Sequence, residues 1–470
     1  MSGCQRDYRP AIHFAPEANW INDPNGMVYI NGTYHLFYQY YPHAPHWGPM
    51  HWGHAASEDL ISWRHLPTAL YPDELGYIFS GSCVYDRENV SGFGTKENPP
   101  LIAVFTSHAA QGGLEQQSIA YSTDYEHFEK YYGNPVIPNP GQKDFRDPKV
   151  FWNPVRKCYS LVLAAGDHVE FYASGNLKEW EKTGEFKPGA HGLSGICECP
   201  DCFPLQTEEG EKWVLFISMI LPEDCVGQRG DVYDRVSHIT QYYVGDFDGN
   251  SFRDTQQSEL PLLVDFGTDN YAAVTFQNLE EKVMIGWADN WDYANVTPSG
   301  EGPCGFRGKM TLARRMALKR TASGWRLSFE NCGLEAKRAC SYPLSRGENR
   351  LSSQSFGLSV EAGESAMLTL RNASGEKLVI SVTPEELVVD RTAAGRCDFS
   401  EAYAKECCGL TRVPRPAGGN STMEIIMDKC VLEVLGDGGR IPVTVCVFPE
   451  HPYEVLCVDG EVEVRCFLLD

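Results

Sequence analysis

Base is scarce in this chain relative to acid. Lys and Arg number 40 against 63 Asp and Glu, for a formal net charge of -23. A field of that sign repels phosphate backbones and anionic headgroups, which argues against nucleic acid and the membrane surface as partners. No apolar run is long enough to cross a bilayer, and no basic stretch leading into an apolar one precedes the first motif. That predicts an unexported, cytoplasmic protein. Paired metal-ligand spacing is also missing. The 17 cysteines are odd in number and scattered, and the string Cys197, Cys199, Cys202 has no second ligand pair nearby. Disulfides and zinc are therefore not expected, and the sulfurs read as small buried hydrophobes in a reducing compartment. His43, His46, His51 and His54 lie in a Pro- and Trp-rich loop, which suits packing around a pocket better than metal binding. No cofactor is implied, and the oligomeric state is left open.

Amphipathic helical periodicity is absent before about Glu330, whereas strand candidates recur throughout: Met27 to Ile30, Tyr34 to Gln39, Leu101 to Thr106, Tyr159 to Ala164, Trp213 to Met219 and Val283 to Trp287. A degenerate repeat accompanies them. Ser57-Glu58-Asp59-Leu60-Ile61-Ser62-Trp63 recurs as Ser122 to Phe128, as Ser174 to Trp180 and, more loosely, as Gly245 to Phe252, each copy ending on an aromatic ring. The spacing is compatible with four-stranded propeller blades bearing loops. After Trp325 the character changes. A short helix is predicted from Glu330 to Arg338, and a linker over 336–350. Strands alternating with turns then run to the C-terminus and read as a β-sandwich over 351–470, behind a catalytic domain over 1–335.

Three acidic strings stand far apart: Trp20-Ile21-Asn22-Asp23-Pro24-Asn25-Gly26, Asp144-Phe145-Arg146-Asp147-Pro148 and Cys197-Glu198-Cys199-Pro200-Asp201. In the first, Pro24 sets φ and the Asn25-Gly26 pair accepts positive φ, so Asp23 is expected on a stiff bend with backbone N–H groups keeping it ionised. Any one string alone is an ordinary turn or surface acid. Together, and in this order, they resemble glycoside hydrolase family 32, the β-fructofuranosidases (invertases, exo-inulinases, levanases). Phe37 to Tyr40, Trp47 to His54, Phe79 to Ser82, Gln241 to Gly249 and Gly286 to Trp291 extend the resemblance.

The resemblance implies an all-β chain, a five-bladed β-propeller followed by a β-sandwich. It implies Asp23 as nucleophile, Glu198 as acid/base and Asp147 as the residue gripping the fructose hydroxyls. Arg146 would hold carboxylate and sugar geometry through its forked donors. Asn22, Gln39, Trp47, Phe79, Ser80 and Trp291 would line the sugar pocket. Retaining hydrolysis of a fructofuranoside through a covalent fructosyl-enzyme follows, with sucrose, fructo-oligosaccharides or fructans as small-molecule carbohydrate substrates. Glu198 must then keep a proton near neutrality, through neighbouring acids and partial burial. Fructosyl transfer from the same site, and a non-catalytic sugar-binding protein, are the alternatives.

Overall fold

A computed structural model describes residues 7–189, 193–222, 237–256, 258, 260–302, 305–416 and 422–470. Short apolar stretches bounded by Gly, Pro and Asx turns give five antiparallel sheets, numbered here as blades I to V. Blade I is Asn19–Ile30, Thr33–Tyr41, His51–Ser57 and Arg64–Leu70, and blade II is Tyr77–Tyr85, Leu101–His108, Glu115–Ser122 and Glu129–Lys130. Blade III is Phe145–Asn153, Cys158–Ala165, Val169–Ser174 and Glu181–Phe186; blade IV is Ile196–Thr207, Gly210–Ile220, His238–Phe247 and Phe252–Asp254. Blade V is Tyr271–Thr275, Val283–Trp287, Arg314–Thr321 and Gly324–Asn331. The innermost strand of each blade touches that of the next, and V touches I, so the ring closes. This is the five-bladed propeller. No described helix is long and apolar enough to cross a membrane.

The sequence repeat marks the outer hairpin of four blades. Asp59 accepts the N–H groups of Ile61 and Ser62, and Asp124 those of Glu126 and His127. Asn176 does the same for Lys178 and Glu179, and Asp248 for Asn250 and Ser251. The residue after each Asx takes positive φ: Leu60, Tyr125, Leu177 and Gly249. A strained non-glycine residue at three of these four sites is held there by the turn's hydrogen bonds. Blade V closes differently, on Thr321 and Gly324, which is why no fifth copy is readable.

A feature common to all five blades positions the site. Every innermost strand carries a β-bulge at the same level, two residues facing one on the neighbouring strand: Asn22-Asp23, Phe79-Ser80, Asp147-Pro148, Cys199-Pro200 and Ala272-Ala273. Proline suits such places because it has no N–H to give the ladder. Gly81, just past the second bulge, has Val104 O only 2.1 Å from where a Cβ would stand. The Trp20–Gly26 string is therefore not the tight turn that its Pro-Asn-Gly ending predicts. It lies inside a 12-residue strand, and of the Asn25-Gly26 pair only Gly26 has positive φ.

The strands from Tyr342 onward form the C-terminal domain. Ser355–Arg371 pairs along its length with Val455–Leu468. On its other edge its first half pairs with Thr422–Asp428 and its second half with Lys377–Val382. One bent strand pair thus feeds two layers, and Leu358, Leu368, Ile380, Ile425, Val434 and Val443 pack between them. The predicted helix is shorter than expected, Glu335–Ala339, because Glu330 and Asn331 complete the last strand of blade V. The stretch read as a linker contains Tyr342–Leu344 and Gly347–Arg350, both paired with Val455–Leu468. Its polar Pro- and Gly-containing composition is that of a sheet edge. The two domains share core: Ile12 and Leu312 pack with Ile426, Phe467 and Leu469.

Candidate active site

The bulges bring the three acids together. Asp23, Asp147 and Glu198 come from blades I, III and IV, and each lies in or directly before a bulge, where the backbone leaves the ladder. The freed N–H groups find new partners across blades. Asp147 N–H donates to Thr106 Oγ1 of blade II at 3.0 Å, and Cys199 N–H donates to Asp147 Oδ2 at 2.9 Å. Asp147 and Cys199 sit at φ of 64° and 43°, a left-handed conformation uncommon for such residues. The Cys199 thiol lies 3.5 Å from Asp23 Oδ2 and 3.6 Å from Asp147 Oδ2.

Asp23 and Glu198 are held by different sets of groups. Ser80 Oγ donates to Asp23 Oδ2 at 2.6 Å, and Asn22 Nδ2 to Asp23 Oδ1 at 3.1 Å. Asn22 is itself fixed by the Trp20 indole N–H at 2.8 Å. The donors to Asp23 are side chains, not the backbone N–H groups expected of a turn. Arg146 Nε and Nη2 meet Glu198 Oε1 at 3.2 and 3.0 Å, and Tyr271 O–H meets Oε2 at 2.5 Å. Arg146, Glu198 and Tyr271 are the last ladder residues before the bulge on three consecutive blades, so equal register aligns them in one chain of hydrogen bonds.

The site carries more negative charge than its cations offset. Burial raises the Asp23 carboxyl above its usual range, and the Glu198 charge adds to this against the Ser80 and Asn22 hydrogen bonds. Asp147 goes up to about 8: burial raises it, Arg146 opposes, and Glu198 and Asp23 raise it further. Both aspartates are thus pushed up, by burial first and by the Glu198 charge with it.

The other residues singled out surround this core. Phe79 is half-buried, stacked on His108 at 4.2 Å between ring centres, with Trp47 edge-on at 6.2 Å. Trp47 is 40% exposed. Gln39 lies beside the first bulge, 2% exposed, its amide committed to Asn25 Oδ1 at 2.8 Å. Trp291 packs on Trp20 and Trp287, behind Asn22. Cys197 and Cys202 turn into the apolar core while Cys199 faces the acids, so the three sulfurs do not converge. The described cysteines are all free thiols; Cys4, Cys225 and Cys304 lie outside the described residues. His54 stacks between His35 and Phe37, its imidazole on His35 at 3.0 Å, and His51 bonds Pro49 O at 2.9 Å.

Residues 13–327 match the sequence family described as glycosyl hydrolases family 32 N-terminal domain, and residues 277–463 match the family 32 C-terminal domain. The chain belongs to glycoside hydrolase family 32. It is a hydrolase of the β-fructofuranosidase type. A levanase of Bacillus subtilis is 39% identical, over 98% of this chain and 69% of its own length. The extracellular exo-inulinase of Aspergillus ficuum is 33% identical, over 94% of this chain and 90% of its own. Among solved structures, the crystal structure of exo-inulinase from Aspergillus awamori superposes with a TM-score of 0.87 at 30% identity, covering 99% of both chains. A fructofuranosidase from Schwanniomyces occidentalis complexed with fructose gives 0.82 at 25% identity, covering 100% of this chain and 99% of that one.

Sequence reasoning missed several groups in this hydrolase's site. Tyr271 follows no readable motif, since its bulge is Ala272-Ala273 and carries no proline. Thr106 and Glu115 reach the site only through strand pairing with residues distant in sequence.

Proposed function

We propose that this pocket releases terminal non-reducing β-D-fructofuranosyl residues from sucrose and fructo-oligosaccharides or fructans, with net retention. Asp23 attacks the anomeric carbon, and Glu198 protonates the leaving oxygen and then activates water. Asp147 binds fructose hydroxyls. The observation that carries this reading is the pairing of two differently held carboxyls. Asp23 is fixed by neutral donors, and Glu198 by a guanidinium and a phenol, with Asp147 beside them. Burial and the Glu198 charge raise both aspartate carboxyls. Sugar hydroxyls donating to them favour their ionised forms. Arg146, Trp47 and Phe79 suit a polar and an aromatic wall for the sugar. The name of the levanase relative, and those of the exo-inulinases, support a fructan as readily as sucrose.

A hydrolysis panel of sucrose, sucrose 6-phosphate, kestose, inulin and levan, with NMR of the first-formed anomer, tests the reading. β-Fructose as first product is expected, with neutral substrates preferred to the phosphorylated one. α-Fructose would overturn retention. Turnover of none of these would favour the sugar-binding alternative. Fructosyl-sugars exceeding free fructose at low donor concentration would favour the transferase. We also propose a reducing compartment, which full recovery of free thiols under denaturing, non-reducing conditions would support.

A further inference from the structure

Arg146 faces more than Glu198. Its Nη1 meets both oxygens of Glu115, at 3.1 and 3.2 Å, and Asp144 Oδ1 at 2.9 Å. Glu115 begins the third strand of blade II, and its side chain is only 7% exposed. It also accepts the Phe145 N–H at 2.7 Å and lies 3.4 Å from His108 Nδ1. Burial would raise this carboxyl, but the His108 hydrogen bond, Arg146 and the Phe145 N–H outweigh burial and hold it low, so it is anionic. A lone guanidinium against Glu198 would favour the ionised form of a group that has to deliver a proton. Two further carboxylates on the same guanidinium divide its charge while leaving its fork in place.

We infer that Glu115 is a positioning residue that holds Arg146 and offsets its charge, so that Glu198 is oriented without being kept as a carboxylate. This rests on the reading of Glu198 as acid/base. Arg146 is the cation Glu115 offsets. Tyr271 is a neutral donor whose hydroxyl is held protonated by burial and by the Glu198 charge. His238 lies edge-on to Tyr271 and pairs with Asp292, one shell out. Asp23 and Asp147 act on Glu198 from the sugar side and are unchanged by the substitution.

The test is the pH profile of kcat/KM on sucrose for Glu115→Gln. Glutamine keeps the shape and some of the hydrogen bonds but removes the charge. The basic limb should move to lower pH by about one unit, with activity lost at neutral pH and largely recovered below the limb. Glu115→Asp should return the limb toward wild type. An unmoved limb, or a loss equal at every pH, would overturn the inference. If Glu115→Gln does not fold, Asp144→Asn removes the other carboxylate on the same guanidinium and should shift the limb in the same direction; its failure to do so overturns the inference equally. Glu198→Gln is assayed in parallel on sucrose and on a fructoside with an acidic leaving group. Equal losses on both would defeat the acid reading itself. Unequal losses with an unmoved Glu115→Gln limb would defeat only the role given to Glu115.

Discussion

Two buried clusters of ionisable groups in this molecule use the same residue types to opposite effect. One is the candidate active site. The other lies where the N-terminal segment and blade V meet the C-terminal domain. There Asp428 accepts the N–H groups of Ala11, Ile12 and His13, the His13 ring at 2.8 Å and Ser355 Oγ. Arg314, fully buried, joins Asp265 at 2.8 Å to Glu433 at 3.1 Å. Burial would raise both acids, but His13 and the backbone donors hold Asp428 well below the usual range, and Arg314 and His13 hold Glu433 down to about 2. Burial would depress His13, yet Asp428 and Glu433 take it up to about 9. In the active site Asp147 goes the other way, to about 8, having one backbone N–H and a thiol for partners. Burial is common to both clusters. The supply of donors decides whether a buried carboxylate is a fastening or a held proton. The junction's acids are ion-paired to Arg314 and His13; the aspartates of the candidate site have few donors, which substrate hydroxyls can supply.

The largest effect that would sharpen this contrast is Asp23→Asn. An amide cannot form the glycosyl ester, so turnover should fall by at least about 10³-fold. Removing one of three crowded acids should leave the melting temperature unchanged or higher. A folded variant keeping more than about a tenth of wild-type turnover would remove Asp23 as nucleophile.

Arg314→Met should behave in the reverse manner. It leaves Asp265 and Glu433 buried without their cation, and stability should drop by about 3–5 kcal/mol in chemical denaturation. Activity per folded molecule should stay near wild type. A neutral effect on stability would mean the junction relaxes around the loss and is not a fastening.

A smaller, pH-dependent effect follows from His13. Its folded value lies above the ordinary 6.5, so its contribution is complete below about 6.5 and is lost as pH rises through about 9. Glu433 acts at the other end: its contribution is present above the ordinary 4.5 and is lost as pH falls toward about 2. The difference in denaturation midpoint between wild type and His13→Gln should therefore shrink between pH 7 and pH 10. A difference constant over that range would separate His13 from the charge balance of the junction.

The smallest expected change is Ser80→Ala, which removes one donor from an acid that has few. A hydrogen bond to a charged group is worth about 1.5–3 kcal/mol, so kcat/KM should fall by roughly tenfold to a hundredfold with little change in stability. No change would indicate that water replaces the hydroxyl.

The sequence by itself determined the elements whose causes are local. Gly, Pro and Asx punctuation gave strands near their observed places, and Val283–Trp287 was read with the bounds it has. The Asx repeat marked four outer hairpins, because each such turn is closed by a side chain two or three residues from the N–H groups it binds. The order of the three acidic strings pointed to the family. Tertiary structure decided what depends on neighbours distant in the chain. It turned the Pro-Asn-Gly turn into a bulged strand and the linker into paired strands, and it placed Tyr271 and Glu115 in the site with no motif to announce them. It also decided which carboxyl is pushed up. A side chain's charge state depends on burial and on the groups that five blades bring to one ring, and neither is written in the residues beside it.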